Sequence, residues 1–136
     1  MKIRLGIIGV GNMGSGHARN VLNGSCPDFE LTAVADINHE RLEWCKKELA
    51  GDYQCFDTAE EMLESGLIDA CIVAVPHYDH TRYAIECMQR GIHVMVEKPA
   101  GVYTKQVREM NKEQYSYAGD YAEIAELKKI SDKYSV

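Results

Sequence analysis

Five short apolar runs alternate with helix patterns along most of the chain, and this alternation constrains the fold more than any other feature. The runs predict β-strands, and the stretches between them carry apolar residues at helical spacing. The predicted strands are Lys2–Val10, Phe29–Asp36, Tyr53–Phe56, Asp69–Pro76 and Ile92–Pro99. Strands that are apolar throughout and separated by helices indicate a parallel sheet with helices on both faces. Right-handed crossovers then favour an α/β fold with a doubly wound parallel sheet of the Rossmann type.

The residues after the fifth predicted strand are less regular. The stretch TKQVREMN, residues 104–111, predicts a helix, and the polar stretch KEQYSYAGD, residues 112–120, predicts a loop. A further amphipathic helix is predicted over residues 120–134, with apolar residues three positions apart. We expect a single domain over residues 1–110, and a helical tail over residues 111–136 that continues this domain and ends before a sixth strand.

Composition and charge disfavour several classes of partner. The 136 residues are 46% hydrophobic and 26% charged, with a formal net charge of −6 and no run of Lys or Arg, which argues against nucleic acid. The five cysteines are scattered and form no C-x-x-C pair. They therefore predict neither a zinc site nor a disulfide framework, and favour a reducing, cytoplasmic location. The apolar run at residues 3–10 is too short to span a membrane.

A glycine-rich loop follows the first predicted strand and carries the strongest functional signal. It reads Gly9-Val10-Gly11-Asn12-Met13-Gly14, a G-x-G-x-x-G pattern that begins a βαβ unit and leads into a helix. In such loops the first glycine permits a tight turn, the second lets a pyrophosphate approach the backbone, and the third allows close helix–strand packing. The N-terminus of the helix offers free N–H groups to the phosphates. Residues 1–110 are therefore predicted to bind a dinucleotide, with Gly9, Gly11, Asn12, Met13 and Gly14 at the cofactor.

Asp36 ends the second predicted strand, 22 residues after Gly14. An acidic side chain at this place accepts hydrogen bonds from the ribose diol of NAD and repels the 2′-phosphate of NADP. Ile37 and Asn38 follow, with no adjacent Arg to receive that phosphate, so the sequence favours NAD over NADP. The alternative is that Asp36 only caps a turn.

The predicted strands four and five end in residues able to do chemistry. In an open parallel sheet, ligands bind beyond the carboxyl ends of the strands. This rule selects the loops after both strands as cofactor-contacting segments, and their candidate residues are Ala74, Pro76, His77, His80, Glu97 and Lys98. Each of the two histidines either hydrogen-bonds beside the cofactor or serves as an ordinary loop or helix-start residue. His17, in the first helix, faces either solvent or the phosphates, and we favour a role outside the site.

Lys98 is the candidate catalytic residue. An ammonium beside a reacting oxygen stabilises developing alkoxide charge, or helps to move a proton if its pKa is lowered. The alternative is a solvent-facing lysine paired with a nearby acid.

These motifs together resemble the N-terminal half of the Gfo/Idh/MocA oxidoreductases. The similar segments are GIIGVGNMG, AVADINHERL and DACIVAVPHYDHTRYAIECMQRGIHVMVEKP, and the similarity runs from Lys2 to about Met110. The resemblance implies nicotinamide-dependent hydride transfer at a carbon of a sugar, cyclitol or related hydroxy or keto compound. It places Lys98 at the reacting hydroxyl or beside the nicotinamide ribose, and Glu97 along the cofactor site. It also implies a cis peptide bond between Lys98 and Pro99.

Members of that family continue into a second α/β domain, which supplies the substrate pocket and an acid/base pair, and no residues are left for that domain here. Three interpretations stay open. The chain is the nucleotide-binding part of an oxidoreductase, or a non-catalytic NAD-binding module such as a redox-sensing subunit, or a CoA- or nucleotide-binding Rossmann module without hydride chemistry. The P-x-x-x-H and E-K-P motifs disfavour the third. Because strand five becomes an exposed edge without a sixth strand, we expect a homo-oligomer.

Overall fold

Five parallel strands form one sheet in a computed structural model of the protein, which describes residues 1–117, with side chains as far as residue 113. The strands are β1 (Ile3–Ile8), β2 (Phe29–Ala35), β3 (Gln54–Phe56), β4 (Ala70–Val73) and β5 (His93–Val96). Their order across the sheet is β3-β2-β1-β4-β5, and every pair of neighbours is parallel. β2 and β3 thus extend the sheet on one side of β1, and β4 and β5 extend it on the other side. This arrangement confirms the predicted doubly wound sheet.

Helices connect the strands, and two of them begin at the predicted capping residues. They are α1 (Asn12–Leu22), α2 (His39–Glu48), α3 (Ala59–Glu64), α4 (His80–Gln89) and α5 (Thr104–Tyr117). The side chain of Asn38 accepts the N–H of Glu40 at 3.0 Å, and that of Thr58 accepts the N–H of Glu61 at 3.3 Å. These hydrogen bonds satisfy N–H groups that have no partner inside the helix.

The core consists of two layers, one on each face of the sheet. Adjacent strand residues point to opposite faces, so Ile7 and Ile8 of β1 belong to different layers. One layer joins the sheet to α1 and α2, and includes Leu5, Ile7, Val34, Ile72, Ala18, Leu42 and Cys45. The other joins it to α3 and α4, and includes Ile8, Ala35, Cys71, Val73, Met62, Tyr83 and Cys87. Both faces of β1 are therefore buried, which holds the residues that follow it rigidly.

β5 lies at an edge of the described sheet, as expected. Val94 and Val96 pack against the layer that contains α4. On the opposite face, His93 is exposed and the side chain of Met95 is 49% exposed.

The predicted loop over residues 112–120 is wrong for its first part. Helix α5 continues without interruption from Thr104 to Tyr117. The reason is local: no Gly or Pro occurs between these two residues, and Lys, Glu and Gln are good helix formers. The helix predicted over residues 120–134 lies outside the described residues. No helix within the described part of the chain has the length and apolar character needed to cross a membrane.

Candidate functional site

The carboxyl ends of the strands surround a cleft of about 310 Å³. The loops after β1, β2 and β4 form its walls, so the cleft lies at the edge of the sheet where the order of strands reverses. This is the place where open α/β sheets bind their ligands. Its lining residues include Gly9, Gly11, Asp36, Arg41, Ala74 and Pro76.

The three glycines of the loop after β1 have three different surroundings. Gly9 has a φ of +88°, and a Cβ on it would lie 2.7 Å from the carbonyl oxygen of Ala74. A Cβ on Gly14 would lie 1.8 Å from the carbonyl oxygen of Gly9, so α1 can approach the turn only because residue 14 has no side chain. A Cβ on Gly11 would meet nothing within 4 Å. The open space at Gly11, beside the unpaired N–H groups that begin α1, fits a dinucleotide pyrophosphate.

Asp36 is half-buried at the wall of the cleft and hydrogen-bonds to two backbone groups. The N–H of Val10 donates to its Oδ2 at 2.9 Å, and the N–H of Asn38 donates to its Oδ1 at 2.8 Å. Asp36 therefore does cap a turn, and its carboxylate also fixes the glycine loop. A carboxylate accepts about four hydrogen bonds. Capacity for a ribose hydroxyl remains.

Arg41 is a residue of this site that sequence reasoning missed. It lies five positions after Asp36, in the first turn of α2, and lines the same cleft. Its Nε and Nη2 donate to the carbonyl oxygen of Val10 at 3.0 and 2.6 Å, and its guanidinium lies 4.8 Å from the centroid of the Trp44 ring. The guanidinium of Arg19 also lies over that ring, 5.1 Å from its centroid. The available signal was its position, three residues beyond Asn38 in the first turn of the helix that follows the second strand.

His80 begins α4 and is only 1% exposed. Its Nδ1 lies 2.7 Å from the carbonyl oxygen of Pro99, and its Nε2 lies 2.8 Å from that of Val75. The ring therefore joins the loop after β4 to the loop after β5. Because both nitrogens are engaged with the main chain, the structure does not support the expected direct contact of His80 with a cofactor. His77 is exposed and meets the His80 ring edge-on, with ring centroids 5.5 Å apart.

Glu97 and Lys98 follow β5 and differ in their surroundings. The N–H of Glu97 donates to the carbonyl oxygen of Val73 at 3.0 Å, which extends the β4–β5 pairing by one residue. Lys98 is exposed, and its ammonium makes no ion pair with a carboxylate of residues 1–113. The predicted cis peptide bond between Lys98 and Pro99 is confirmed.

His17 contacts this segment, contrary to the expectation that it lies outside the site. Its Nε2 is 2.5 Å from Oε1 of Glu97, although 80 positions separate the two residues. The hydrogen bond from His17 is the main cause that lowers the pKa of Glu97 below its usual value. A signal for this contact existed: His17 lies three positions after Gly14, on the helix face that packs toward the sheet.

A second and larger cleft, of about 380 Å³, lies away from the glycine loop. It is bounded by α1 and by the face of β4 and β5 on the α1 side of the sheet, and its lining is mostly apolar, with Val21, Phe29, Ile72 and Met95 among its residues. This cleft lies on a face of the sheet rather than at the carboxyl ends of the strands, and His17 is the one site residue of those discussed above that lines it.

Comparison with known proteins gives consistent matches over the described residues. The family model described as "Oxidoreductase family, NAD-binding Rossmann fold" matches residues 3–117. The rhizopine catabolism protein MocA of Rhizobium meliloti is 35% identical over 109 residues, which cover 79% of this chain and 32% of that protein. The myo-inositol 2-dehydrogenase of Thermotoga maritima is 31% identical over 111 residues, covering 82% of this chain and 32% of that protein.

Solved structures agree with the sequence matches. The scyllo-inositol dehydrogenase of Lactobacillus casei, crystallised with bound NAD(H) and scyllo-inositol, superposes with a TM-score of 0.80 at 27% identity. The superposition covers 87% of this chain and 34% of that one. The chain thus spans about a third of the length of the relatives that it matches.

Proposed function

Because the chain belongs to the Gfo/Idh/MocA oxidoreductase family, we propose that it is the nucleotide-binding part of an NAD-dependent dehydrogenase acting on a sugar, cyclitol or related hydroxy compound. One observation carries the proposal. The glycine loop and Asp36 line one cleft at the carboxyl edge of the sheet, and Glu97 and Lys98 leave the sheet at the same edge. The substrate class follows from relatives named as inositol 2-dehydrogenases and glucose-6-phosphate 3-dehydrogenase.

The glycine loop and Asp36 would bind two parts of the adenosine diphosphate group, the pyrophosphate and the ribose. The backbone around Gly11 and the first turn of α1, with Asn12 and Met13, would bind the pyrophosphate. Asp36 would accept hydrogen bonds from the ribose diol. On the opposite wall, the loop after β4 would contact the cofactor through Ala74, Pro76 and His77. When bound, NAD supplies the hydride acceptor. The residues of the protein would bind and orient it.

Asp36 and Arg41 have opposite effects on the choice of cofactor. The carboxylate repels a 2′-phosphate, whereas the guanidinium attracts one. Arg41 is already hydrogen-bonded to Val10 through Nε and Nη2 and lies over the ring of Trp44, so two of its five N–H donors and one face of its guanidinium are engaged with the protein. We therefore propose that Asp36 dominates and that NAD is preferred over NADP.

Lys98 is the proposed catalytic residue. Oxidation of a secondary alcohol removes a hydride from carbon and a proton from oxygen, so negative charge develops on that oxygen. An exposed ammonium with no carboxylate partner in the described residues can donate a hydrogen bond to this oxygen and stabilise the charge. His80 would act indirectly, because its ring fixes the carbonyl groups of Val75 and Pro99 on either side of the site.

A cofactor titration of the purified chain tests the proposal. We expect NADH to bind more tightly than NADPH, and the Asp36→Ala variant to lose this preference. Asp57→Ala is the matched control, because Asp57 follows β3 as Asp36 follows β2 but is exposed and pairs with His39 outside the cleft. An Asp36→Ala variant with unchanged affinity for both cofactors would refute the cofactor assignment.

We further propose that a second copy of the chain covers the edge formed by β5. The support is the outer side of this strand, which pairs with no other strand of residues 1–117, together with the exposed Met95 and the apolar cleft of about 380 Å³ beside it. Exposed strand edges with apolar neighbours readily pair with another chain. Light scattering at increasing concentration should give the mass of a dimer or larger oligomer, and a constant monomer mass would exclude the interface.

A further inference from the structure

The contact between His17 and Glu97 joins the two halves of the candidate site. We propose that His17 is a positioning residue, which sets the orientation of the Glu97–Lys98 segment relative to the glycine loop. This role rests on the proposed function, since it concerns the same site.

His17 has a fixed position relative to the glycine loop. It lies on α1, whose first turn is in contact with the turn at Gly9 through Gly14, where no side chain fits. The helix cannot shift along the loop without this contact being lost. The ring of His17 is therefore held at a constant distance from the backbone that is proposed to bind the pyrophosphate.

The contact with His17 fixes Glu97, and Glu97 in turn restricts the position of Lys98, which follows it. Its N–H is bound to Val73 of β4, and its carboxylate is bound to the ring of His17 at 2.5 Å. The backbone N–H and the ammonium of Lys98 also contribute to the lowered pKa of Glu97, though less than His17 does. The main chain and the side chain of Glu97 are thus both fixed, and the residue that follows is the proposed catalytic lysine.

Partial burial distinguishes this pair from other histidine–acid pairs of the chain. The side chains of His17 and Glu97 are 25% and 18% exposed, whereas those of His39 and Asp57 are 67% and 70% exposed. Exposed pairs contribute little because solvent screens them and both side chains lose rotamer freedom. The pair that links α1 to the end of β5 is screened less. His39 therefore offers a matched control for a histidine whose partner lies outside the site.

The first experiment needs no cofactor. The Glu97 carboxyl is titrated by side-chain ¹³C NMR in the wild-type chain, in His17→Leu and in His39→Leu. Since the hydrogen bond from His17 lowers the pKa of Glu97, we expect this pKa to rise in His17→Leu and to stay unchanged in His39→Leu. The same midpoint in all three proteins would overturn the proposal.

The second experiment separates positioning from a purely structural role. NADH binding is followed by nicotinamide fluorescence in single and double variants. We expect His17→Leu to weaken NADH binding about fivefold, and His17→Gln, which keeps an N–H donor, to stay within about twofold of the wild type, because contacting residues couple energetically. Lys98→Ala should then weaken binding about fivefold in the wild-type background and less than about twofold in the His17→Leu background.

Equal effects of Lys98→Ala in the two backgrounds would overturn the proposal, because independent residues act additively. Failure of the wild-type chain to bind NADH would refute the proposed function instead. In that case the NMR titration still decides whether His17 holds the Glu97 carboxylate.

Discussion

A methyl group added to α1 at Gly14 should be much more harmful than the same group added two residues later at Gly16. The Cβ of an alanine at position 14 would lie 1.8 Å from the carbonyl oxygen of Gly9, about 1.2 Å closer than the 3.0 Å that real Cβ atoms respect. That oxygen belongs to the backbone and cannot rotate away. The Gly9 N–H is itself bound to Ala35 at 2.8 Å, and Gly9 lies directly against Ala74, so the loop has little freedom to move.

The magnitude follows from two opposing effects. Overpacking of a rigid site typically costs about 1–3 kcal/mol or more, and here both sides of the contact are backbone. Replacing Gly by Ala inside a helix returns up to about 1 kcal/mol. We therefore expect Gly14→Ala to lose about 2 kcal/mol of unfolding free energy and, for a chain of this size, roughly 6–8 °C in Tm. At Gly16 a Cβ would meet nothing within 4 Å, so Gly16→Ala should gain up to about 1 kcal/mol.

Urea unfolding followed by the fluorescence of Trp44, the single tryptophan of the chain, measures both variants. The two substitutions are chemically identical and lie in one helix, so each serves as the control for the other. Equal stability of Gly14→Ala and the wild type would refute the reasoning. So would a Gly16→Ala variant as unstable as Gly14→Ala.

Two further predictions concern side chains. His80→Leu removes the buried ring between the carbonyl groups of Val75 and Pro99 and leaves the carbonyl that accepts its N–H without that donor, which should cost about 1–3 kcal/mol in urea unfolding, whereas leucine at the exposed His77 should change stability by no more than about 0.5 kcal/mol. Hydrogen bonds from Arg4 lower the pKa of Asp69 to about 2. A lowered pKa stabilises the folded state above the ordinary pKa of about 3.9, and this stabilisation disappears as pH falls toward 2. The stability difference between wild type and Asp69→Asn should therefore shrink over that range in pH-dependent thermal unfolding, and a constant difference would contradict it.

The sheet could be predicted from the sequence because its signals are local. Each strand lies in a mostly apolar run, and the stops between strands are glycines or capping residues such as Asn38 and Thr58, whose effect depends only on their neighbours. The glycine loop was predictable for the same reason. The loop predicted at residues 112–117 failed because its polar residues resemble those of a solvent-facing helix, and no breaker is present to distinguish them.

The candidate site was predictable in its location but not in its contacts. Motif spacing brings Asp36, His80 and Glu97 to one edge of the sheet, yet it carries no information on where their polar atoms point. Arg41 binds a carbonyl 31 positions away, and His17 binds a carboxylate 80 positions away. Such pairings depend on how helices pack on the finished sheet. His80 shows the limit most clearly, since its ring is directed at two main-chain carbonyl groups.

The reversed strand order also has a consequence for the time at which the site forms. β1 lies in the middle of the sheet, and its second neighbour is β4, to which it is tied by the hydrogen bonds of Arg4 with Asp69, 65 positions later. During synthesis β1 therefore leaves the ribosome well before β4, its second neighbour. Pairing between strands so far apart in the sequence slows folding. The turn at Gly9 rests against Ala74, directly after β4. The glycine loop, although encoded at the very start of the chain, reaches its final shape only after the fourth strand has been made.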